Sequence, residues 1–150
     1  MDKRRTRHQE GHHSDVCPPA LTAGNSSALS DGASAVILAS EDAANVLGIE
    51  PLARVVASAT HALDPQFMGI APAFAMVKAL GRAGLEPADI DVWEVHEAFA
   101  AQALGVLREL DLQLGGFVVP DERLNPNGGA VAIGHPFGSS GTTLRSHPVH

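Results

Sequence analysis

The sequence has a single cysteine, Cys17, and no hydrophobic run long enough to cross a membrane. One cysteine excludes an internal disulfide and fits a reducing compartment, so we expect a cytoplasmic protein. The apolar runs fall far short of the roughly 20 residues that a membrane-spanning helix needs. Residues 1–19 are charged and lack an apolar core, so they do not predict a secretory signal.

Basic residues are scarce outside the first few positions. Four of the ten, Lys3, Arg4, Arg5 and Arg7, crowd the start, whereas residues 16–150 carry six basic and fourteen acidic residues. An acidic body argues against nucleic acid as the main partner. Hydrophobic residues make up 45% of the chain and charged residues 18%, which is typical of a globular domain.

The first 20 residues predict a disordered tail, because they are charged, rich in histidine and closed by two prolines. His8, His12 and His13 lack the cysteine and histidine spacing of a metal site, so we expect no bound metal. The domain itself is expected over residues 21–144, and residues 145–150 read as a second short tail.

Strand and helix patterns alternate along the domain. The apolar run 33–40 predicts a buried strand, and 41–48 a short helix with acidic residues in its first turn and Gly48 near its end. A second strand is expected at 54–59. A helix over 72–82 places four apolar side chains on one face: Ala73, Met76, Val77 and Leu80.

The next pair is a strand, "VWEV", followed by a helix over 97–110. That helix carries an apolar stripe of Phe99, Ala103, Val106, Leu107 and Leu110. Alternation of strands and helices predicts an α/β layered fold, with a sheet packed against helices. Ligands of such folds lie beyond the carboxyl ends of the strands, and His96 lies at a strand-to-helix junction of that kind.

One segment, "LNPNGGAVAIGHPFGSSG", combines five glycines with a lone histidine, His135, after a run of small apolar residues. Glycines let a backbone approach a ligand closely, and histidine is the side chain that titrates near neutral pH. Pro136 favours extended backbone at His135 and removes one amide donor. The residues alone leave two interpretations, a catalytic base and a histidine that caps a buried turn.

Four motifs together resemble the C-terminal half of thiolases, in order and in approximate spacing: "TAGNSSALSDGA", "DPQFMG", "HEAFAAQ" and "NPNGGAVAIGHPFGSSG". The resemblance covers about residues 21–144. It implies a thiolase-like layered fold with a mixed sheet, of which this is one C-terminal half, incomplete at its own C-terminal end. It also implies cleavage of 3-ketoacyl-CoA by free CoA, or the reverse Claisen condensation, through an acyl-cysteine intermediate. CoA is then a substrate, and no covalently bound cofactor is expected.

The resemblance assigns catalytic roles to two histidines. It makes His135 the base that activates the nucleophilic cysteine and helps to hold the thioester oxyanion. His96 stands where many thiolases have an asparagine, which holds a water that donates to the enolate oxyanion; an imidazole can also donate there. The "HEAF" and "GHPFG" forms resemble the branch that acts on longer acyl chains in fatty-acid β-oxidation complexes.

The resemblance also implies substrate contacts. Ala98 and Phe99 approach the thioester, Met68 lines the acyl pocket, and Ala23 and Ser27 contact the pantetheine arm of CoA. Plainer interpretations stay open: Phe99 could fill the core, and Ser27 could satisfy its own turn. Glu97 at a helix start has as good a structural explanation as a catalytic one.

Both cysteines of the family's chemistry are missing from these 150 residues. The nucleophile lies in the N-terminal half of thiolases, and a second cysteine lies in a Cys-x-Gly motif near their C-terminus. Cys17 fits neither pattern. We therefore expect negligible activity from this chain alone, with an uncovered apolar face that favours association with a second copy or with the missing half. A thiolase remnant that binds CoA or a partner, and more distantly a ketoacyl synthase, are the alternatives.

Overall fold

The structure is a computed structural model that describes residues 21–146. The predicted tail at 1–20 and the last four residues of the predicted tail at 145–150 lie outside the described residues. Helices alternate with short 3-10 turns at 23–25, 65–70, 87–89 and 121–123. There are five α-helices among residues 21–146: α1 (Glu41–Leu47), α2 (Ala71–Ala83), α3 (Ala100–Gln113), α4 (Ala130–Ile133) and α5 (Ser140–Ser146). None of these described helices is long and apolar enough to cross a membrane.

Helix α1 forms where its local signals predict it. The Ser40 side chain accepts a hydrogen bond from the Ala43 amide at 3.2 Å, and Glu41 and Asp42 occupy the first turn. Gly48 ends the helix in the left-handed region, at a φ of 63°. These capping contacts satisfy amides and carbonyls that a helix leaves unpaired at its ends.

The hydrophobic core lies between α2, α3 and the "VWEV" segment. Ala73 and Leu80 of α2 face Val106 and Leu110 of α3, and Met76 and Val77 pack against the same cluster. The predicted apolar face of α2 is therefore confirmed. The core is completed by Trp93, Val95 and Val119.

Helix α3 begins three residues later than predicted and ends three residues later. Phe99 is extended, with φ −145° and ψ 145°, and it pairs with Ser26 in an antiparallel bridge. Because that bridge holds the backbone of Phe99 extended, the helix starts only at Ala100. Val106 and Leu110 of the predicted stripe are fully buried, whereas Phe99 is 41% exposed and lies before the helix.

Two predicted buried strands, 33–40 and 54–59, were wrong for this chain. Neither range forms a strand in the structure, and Ile37 and Val55 are 93% and 72% exposed. A buried strand needs backbone pairing with a neighbour, whereas in residues 21–146 the hydrogen bonds from other segments to these ranges come through side chains. Ser34 Oγ donates to the Ser139 carbonyl, and Arg82 Nη1 donates to the Ser58 carbonyl. Both ranges nevertheless have the apolar composition that is typical of buried strands.

The "VWEV" prediction was partly right. Trp93 and Val95 are buried, and Trp93 pairs with Leu124 in a parallel bridge. The amide of Trp93 donates to the Arg123 carbonyl at 2.7 Å, and its carbonyl accepts from the Asn125 amide at 2.9 Å. This short pairing sets the "HEAF" segment beside the glycine-rich segment.

Truncation of Leu110 tests the core. Leu110→Ala removes a fully buried side chain, so it should lower the free energy of unfolding by about 2–5 kcal/mol. Leu112→Ala, two residues along the same helix and 62% exposed, is the matched control and should change it by less than about 0.5 kcal/mol. Urea unfolding followed by circular dichroism measures both. Equal losses would contradict the assigned core.

Candidate functional site

The structure brings together the two histidines that the sequence singled out. The ring centroids of His96 and His135 lie 4.3 Å apart, at an interplanar angle of 56°. The Phe137 ring lies 4.8 Å from the His135 ring. Both histidines are half-buried, so each keeps access to a ligand while its neighbours restrict its movement.

The backbone of His135 is anchored to the loop that carries the CoA-binding prediction. The His135 amide donates to the Ala28 carbonyl at 2.8 Å. Gly134 has a φ of 91°, and a Cβ at that position would collide with the Ser30 side chain. Only glycine fits this close approach without strain, which explains the glycine directly before the histidine.

The loop at 22–30 contacts the other histidine segment as well. The Ser27 amide donates to the Ala98 carbonyl at 3.0 Å, one residue from the bridge between Ser26 and Phe99. The predicted residues Ser27, Ala98 and Phe99 therefore lie together. Ala23 is exposed in the turn that precedes this pairing.

Met68 lies in the turn Pro65–Ile70 and is 72% exposed. That turn is joined to helix α3 by Gln102, whose Nε2 donates to the Gly69 carbonyl at 2.9 Å. Gln102 belongs to the same "HEAFAAQ" motif as His96. The predicted acyl-pocket residue is thus positioned on a turn tied to the helix that follows the histidine.

Glu97 connects the two histidine segments. One of its carboxylate oxygens accepts from Asn125 Nδ2 at 2.9 Å, and the other accepts from the Val131 amide at 3.2 Å. The predicted position of Glu97 inside the first turn of α3 was wrong; its carboxylate lies instead at the start of α4. A Cβ on Gly129 would overlap this carboxylate, so a larger residue there would displace the Glu97 side chain from its present position.

Asn125 connects the Glu97 carboxylate to the backbone of Val95. Its Oδ1 accepts from the Val95 amide at 2.7 Å, and its Nδ2 donates to the Val95 carbonyl at 2.9 Å. The residue is 8% exposed and has a φ of 43°, a left-handed conformation that asparagine tolerates better than most residues. Asn125 therefore fixes the backbone directly before His96.

The electrostatics of the site favour a neutral His96. Burial lowers the pKa of His96 below its ordinary value of 6.5, and the neighbouring His135 lowers it further, while the Glu97 carboxylate acts in the opposite direction. A His96 that is neutral near pH 7 still carries one N–H donor. It can donate a hydrogen bond without adding a positive charge beside His135.

A cleft of about 100 Å³ opens beside His96, and its walls include Ala130, Pro136 and Ser140. Within residues 21–146 no group of three or more histidine, cysteine, aspartate or glutamate side chains could hold a metal ion. The side chains beside this cleft include the two imidazoles and the Ser140 hydroxyl.

Two site residues were missed by the sequence reasoning. Ser140 Oγ lies 2.7 Å from His135 Nδ1, and Asn125 joins the two histidine segments. The sequence held no local signal for Asn125, because it precedes Pro126, a position that favours extended rather than left-handed backbone. For Ser140 the signal was a serine at a helix start five residues after the histidine.

The titration of His96 tests the electrostatics. His96 should titrate below 6.5, and Glu97→Gln should lower its pKa further, because the carboxylate favours the imidazolium. Folded His96 binds fewer protons than unfolded His96 in this range, so the free energy of unfolding should decrease as the pH falls below 6.5. Proton NMR titration measures the pKa, with a His96→Gln sample to assign the signal. A pKa at or above 6.5 would contradict the burial of this ring.

Replacement of Asn125 tests the connection. Asn125→Asp keeps Oδ1 as an acceptor but puts an oxygen where Nδ2 donates to Glu97 and Val95. It should lower the free energy of unfolding at pH 7 by about 1–3 kcal/mol. The Val95 carbonyl and the Glu97 carboxylate lose their donor, and the new carboxylate lies beside that of Glu97. Asn127→Asp makes the same change at an exposed neighbour and should cost less than about 0.5 kcal/mol. Equal effects in urea unfolding would show that Asn125 does not hold the segments together.

Comparisons with known proteins identify the family of this chain. The family model described as "Thiolase, C-terminal domain" matches residues 49–150. The chain is 52% identical over 135 residues to the 3-oxoadipyl-CoA/3-oxo-5,6-dehydrosuberyl-CoA thiolase of Escherichia coli (strain K12), covering 87% of this chain and 32% of that protein. It is 52% identical over 124 residues to the 3-ketoacyl-CoA thiolase of Hahella chejuensis (strain KCTC 2396), covering 83% of this chain and 31% of that protein.

Solved structures of thiolases have the same fold. The crystal structure of human mitochondrial 3-ketoacyl-CoA thiolase matches with a TM-score of 0.79 at 48% identity, as does that of the same protein in complex with CoA. Each match covers 87% of this chain and 31% of the human protein. The chain thus spans about a third of the length of the relatives it matches. It has a thiolase-like α/β fold, and it belongs to the thiolase family.

Proposed function

We propose that residues 21–144 supply the two-histidine part of a thiolase active site for 3-ketoacyl-CoA and acetyl-CoA. The reaction is thiolytic cleavage or Claisen condensation through an acyl-cysteine, whose cysteine comes from outside these residues. The observation that carries the proposal is the 4.3 Å separation of the His96 and His135 rings. The relatives named above support the substrate class, and the human relative was solved with CoA.

His135 acts as the base of this proposed reaction. It takes the proton of the nucleophilic cysteine, and the thiolate attacks the 3-keto carbon of the substrate. The C2–C3 bond then breaks, a proton is delivered to C2, and acetyl-CoA leaves the acyl group on sulfur. A CoA thiol accepts that acyl group in the second half of the reaction. General-base catalysis by a positioned side chain typically accelerates a reaction by about 10²–10⁴-fold.

His96 acts as a hydrogen-bond donor in the proposal. Its burial and its proximity to His135 lower its pKa, so it is neutral near pH 7 and donates one N–H. A donor directed at developing oxyanion charge lowers the barrier for the enolate of acetyl-CoA. After His135 takes the cysteine proton, it carries a positive charge. A neutral His96 adds no second positive charge beside it, so it does not destabilise that imidazolium.

The loop at 22–30 and the turn at 65–70 form the proposed substrate contacts. Ala23 and Ser27 face the pantetheine arm of CoA, which is a substrate; no covalently bound cofactor is proposed. Ala98 and Phe99 lie at the thioester, and the exposed Met68 forms an adaptable apolar wall for the acyl chain. Longer acyl chains of fatty-acid β-oxidation are the proposed substrates, in the cytoplasm.

The uncovered apolar residues support a partner for this segment. Ile37, Leu38, Leu52 and Val55 are between 72% and 93% exposed. A cleft of about 300 Å³ runs between Val55 and Val56, helix α2 and the buried Trp93. Apolar surface of this kind marks a site of association. We propose that the remaining part of a thiolase subunit covers it, within a homo-oligomer.

Grafting tests the proposed activity. Residues 21–144 replace the matching segment of the Escherichia coli relative, which supplies the remaining segments of a thiolase; we call this protein the complemented enzyme. It should cleave acetoacetyl-CoA with CoA, whereas the chain alone should show negligible turnover. His135→Ala in the complemented enzyme should lower kcat by roughly 10²–10⁴-fold, because the base is lost. His61→Ala, a histidine that stacks on Phe74 outside the site, is the matched control.

Turnover by the pure chain, abolished by His135→Ala, would contradict the requirement for an outside cysteine. A complemented enzyme with the parent's circular dichroism and oligomeric state, but no turnover, would contradict the catalytic proposal. Binding of CoA by that inactive protein would then favour the alternative function, a thiolase-like module that holds CoA or a partner.

A further inference from the structure

A serine hydroxyl lies within hydrogen-bonding distance of the imidazole of His135. Ser140 Oγ lies 2.7 Å from His135 Nδ1, and Ser140 is 9% exposed. A neutral imidazole carries its proton on one nitrogen and a lone pair on the other. The role that Ser140 takes in this hydrogen bond therefore decides which nitrogen of His135 can accept a proton.

The direction of this bond follows from the second contact of the serine. Ser140 has one hydroxyl proton, and its Oγ lies 3.2 Å from the Pro136 carbonyl, which can only accept. Pro136 precedes Ser140 by four residues, so this is the hydrogen bond that serines near a helix start commonly donate to the preceding turn. With its proton directed at Pro136, Oγ faces Nδ1 with a lone pair. Both contacts of the serine are hydrogen bonds at once only in this arrangement, in which the hydrogen of the 2.7 Å contact belongs to Nδ1.

We propose that Ser140 is a positioning residue that holds neutral His135 with its proton on Nδ1, leaving the lone pair on Nε2. The bond from the His135 amide to the Ala28 carbonyl holds the backbone of this residue, and the Phe137 ring lies 4.8 Å from its imidazole. Nε2 is thereby the nitrogen that takes the cysteine proton. Only this last role depends on the proposed function, since the position of the proton is a property of the chain itself.

The position of the proton is read directly by NMR. The full chain, with 15N-labelled histidine, is recorded by long-range 1H–15N correlation at a pH where its histidines are neutral, and His135→Gln assigns the signals. We expect the shift of a protonated nitrogen at Nδ1 and that of an unprotonated nitrogen at Nε2. Ser140→Ala should move the proton toward Nε2, which an imidazole in water prefers, and Ser140→Thr should restore the original pattern because it keeps a hydroxyl.

Ser139→Ala is the matched control. The hydroxyl of Ser139 donates to the same Pro136 carbonyl, at 3.3 Å, but has no contact with the imidazole among the hydrogen bonds of residues 21–146. It should leave the nitrogen shifts of His135 unchanged. A protonated Nε2 in the unmodified chain would overturn the proposal. So would unchanged shifts in Ser140→Ala, or equal changes in the Ser139 and Ser140 variants.

The complemented enzyme gives a second measurement and separates the two proposals. The same labelling there reports the tautomer even if the isolated chain self-associates. Ser140→Ala should lower kcat, by less than the His135→Ala loss, and Ser140→Thr should recover it. The expected tautomer in an inactive complemented enzyme would leave the role of Ser140 intact and remove the thiolase proposal. Full activity of the complemented enzyme with the proton of neutral His135 on Nε2 would leave the thiolase proposal intact and overturn the role of Ser140.

Discussion

The site depends on one buried amide side chain. Asn125 binds both the amide and the carbonyl of Val95 and passes a third hydrogen bond to Glu97, whose other oxygen holds the start of α4. Val95 directly precedes His96, and α4 leads through Gly134 into His135. Two segments about thirty residues apart in sequence are therefore fixed to each other by three side-chain hydrogen bonds of one residue.

This arrangement constrains the residues around it. The carboxylate of Glu97 lies so close to Gly129 that any Cβ would overlap it, and Asn125 itself has a left-handed backbone. A buried polar network stabilises a structure only when its members are satisfied, and here both carboxylate oxygens and both amide groups have partners. The asparagine and glycine content of this segment follows from these packing demands as much as from contact with a substrate.

The sequence predicted the helices better than the sheet, because helix signals are local. Ser40, the acidic first turn and Gly48 define α1 within nine residues, and the apolar period of α2 needs only its own turns. A strand is defined by its neighbours. The run at 33–40 has the composition of a buried strand, yet Ile37 is 93% exposed, and no backbone hydrogen bond pairs this run with another strand among the described residues. The start of α3 was predicted three residues too early for the same reason. A bridge from Ser26, which is distant in the sequence, holds Phe99 extended.

The two histidines stood out in the sequence, through the motif resemblance, whereas Asn125 and Ser140 did not. His96 and His135 stand in recognisable motifs, and the structure places their rings side by side. The role of Asn125 depends on distances between segments, and that of Ser140 on the direction of a helix start, neither of which a linear pattern contains. Orientation matters here because a neutral imidazole donates at one nitrogen and accepts at the other, so the nitrogen that faces the cleft decides what a ring can do there. A proton on Nδ1 of His135 makes it an acceptor at Nε2, while a neutral His96 remains a donor, and the pair can then act as base and oxyanion partner in one cleft.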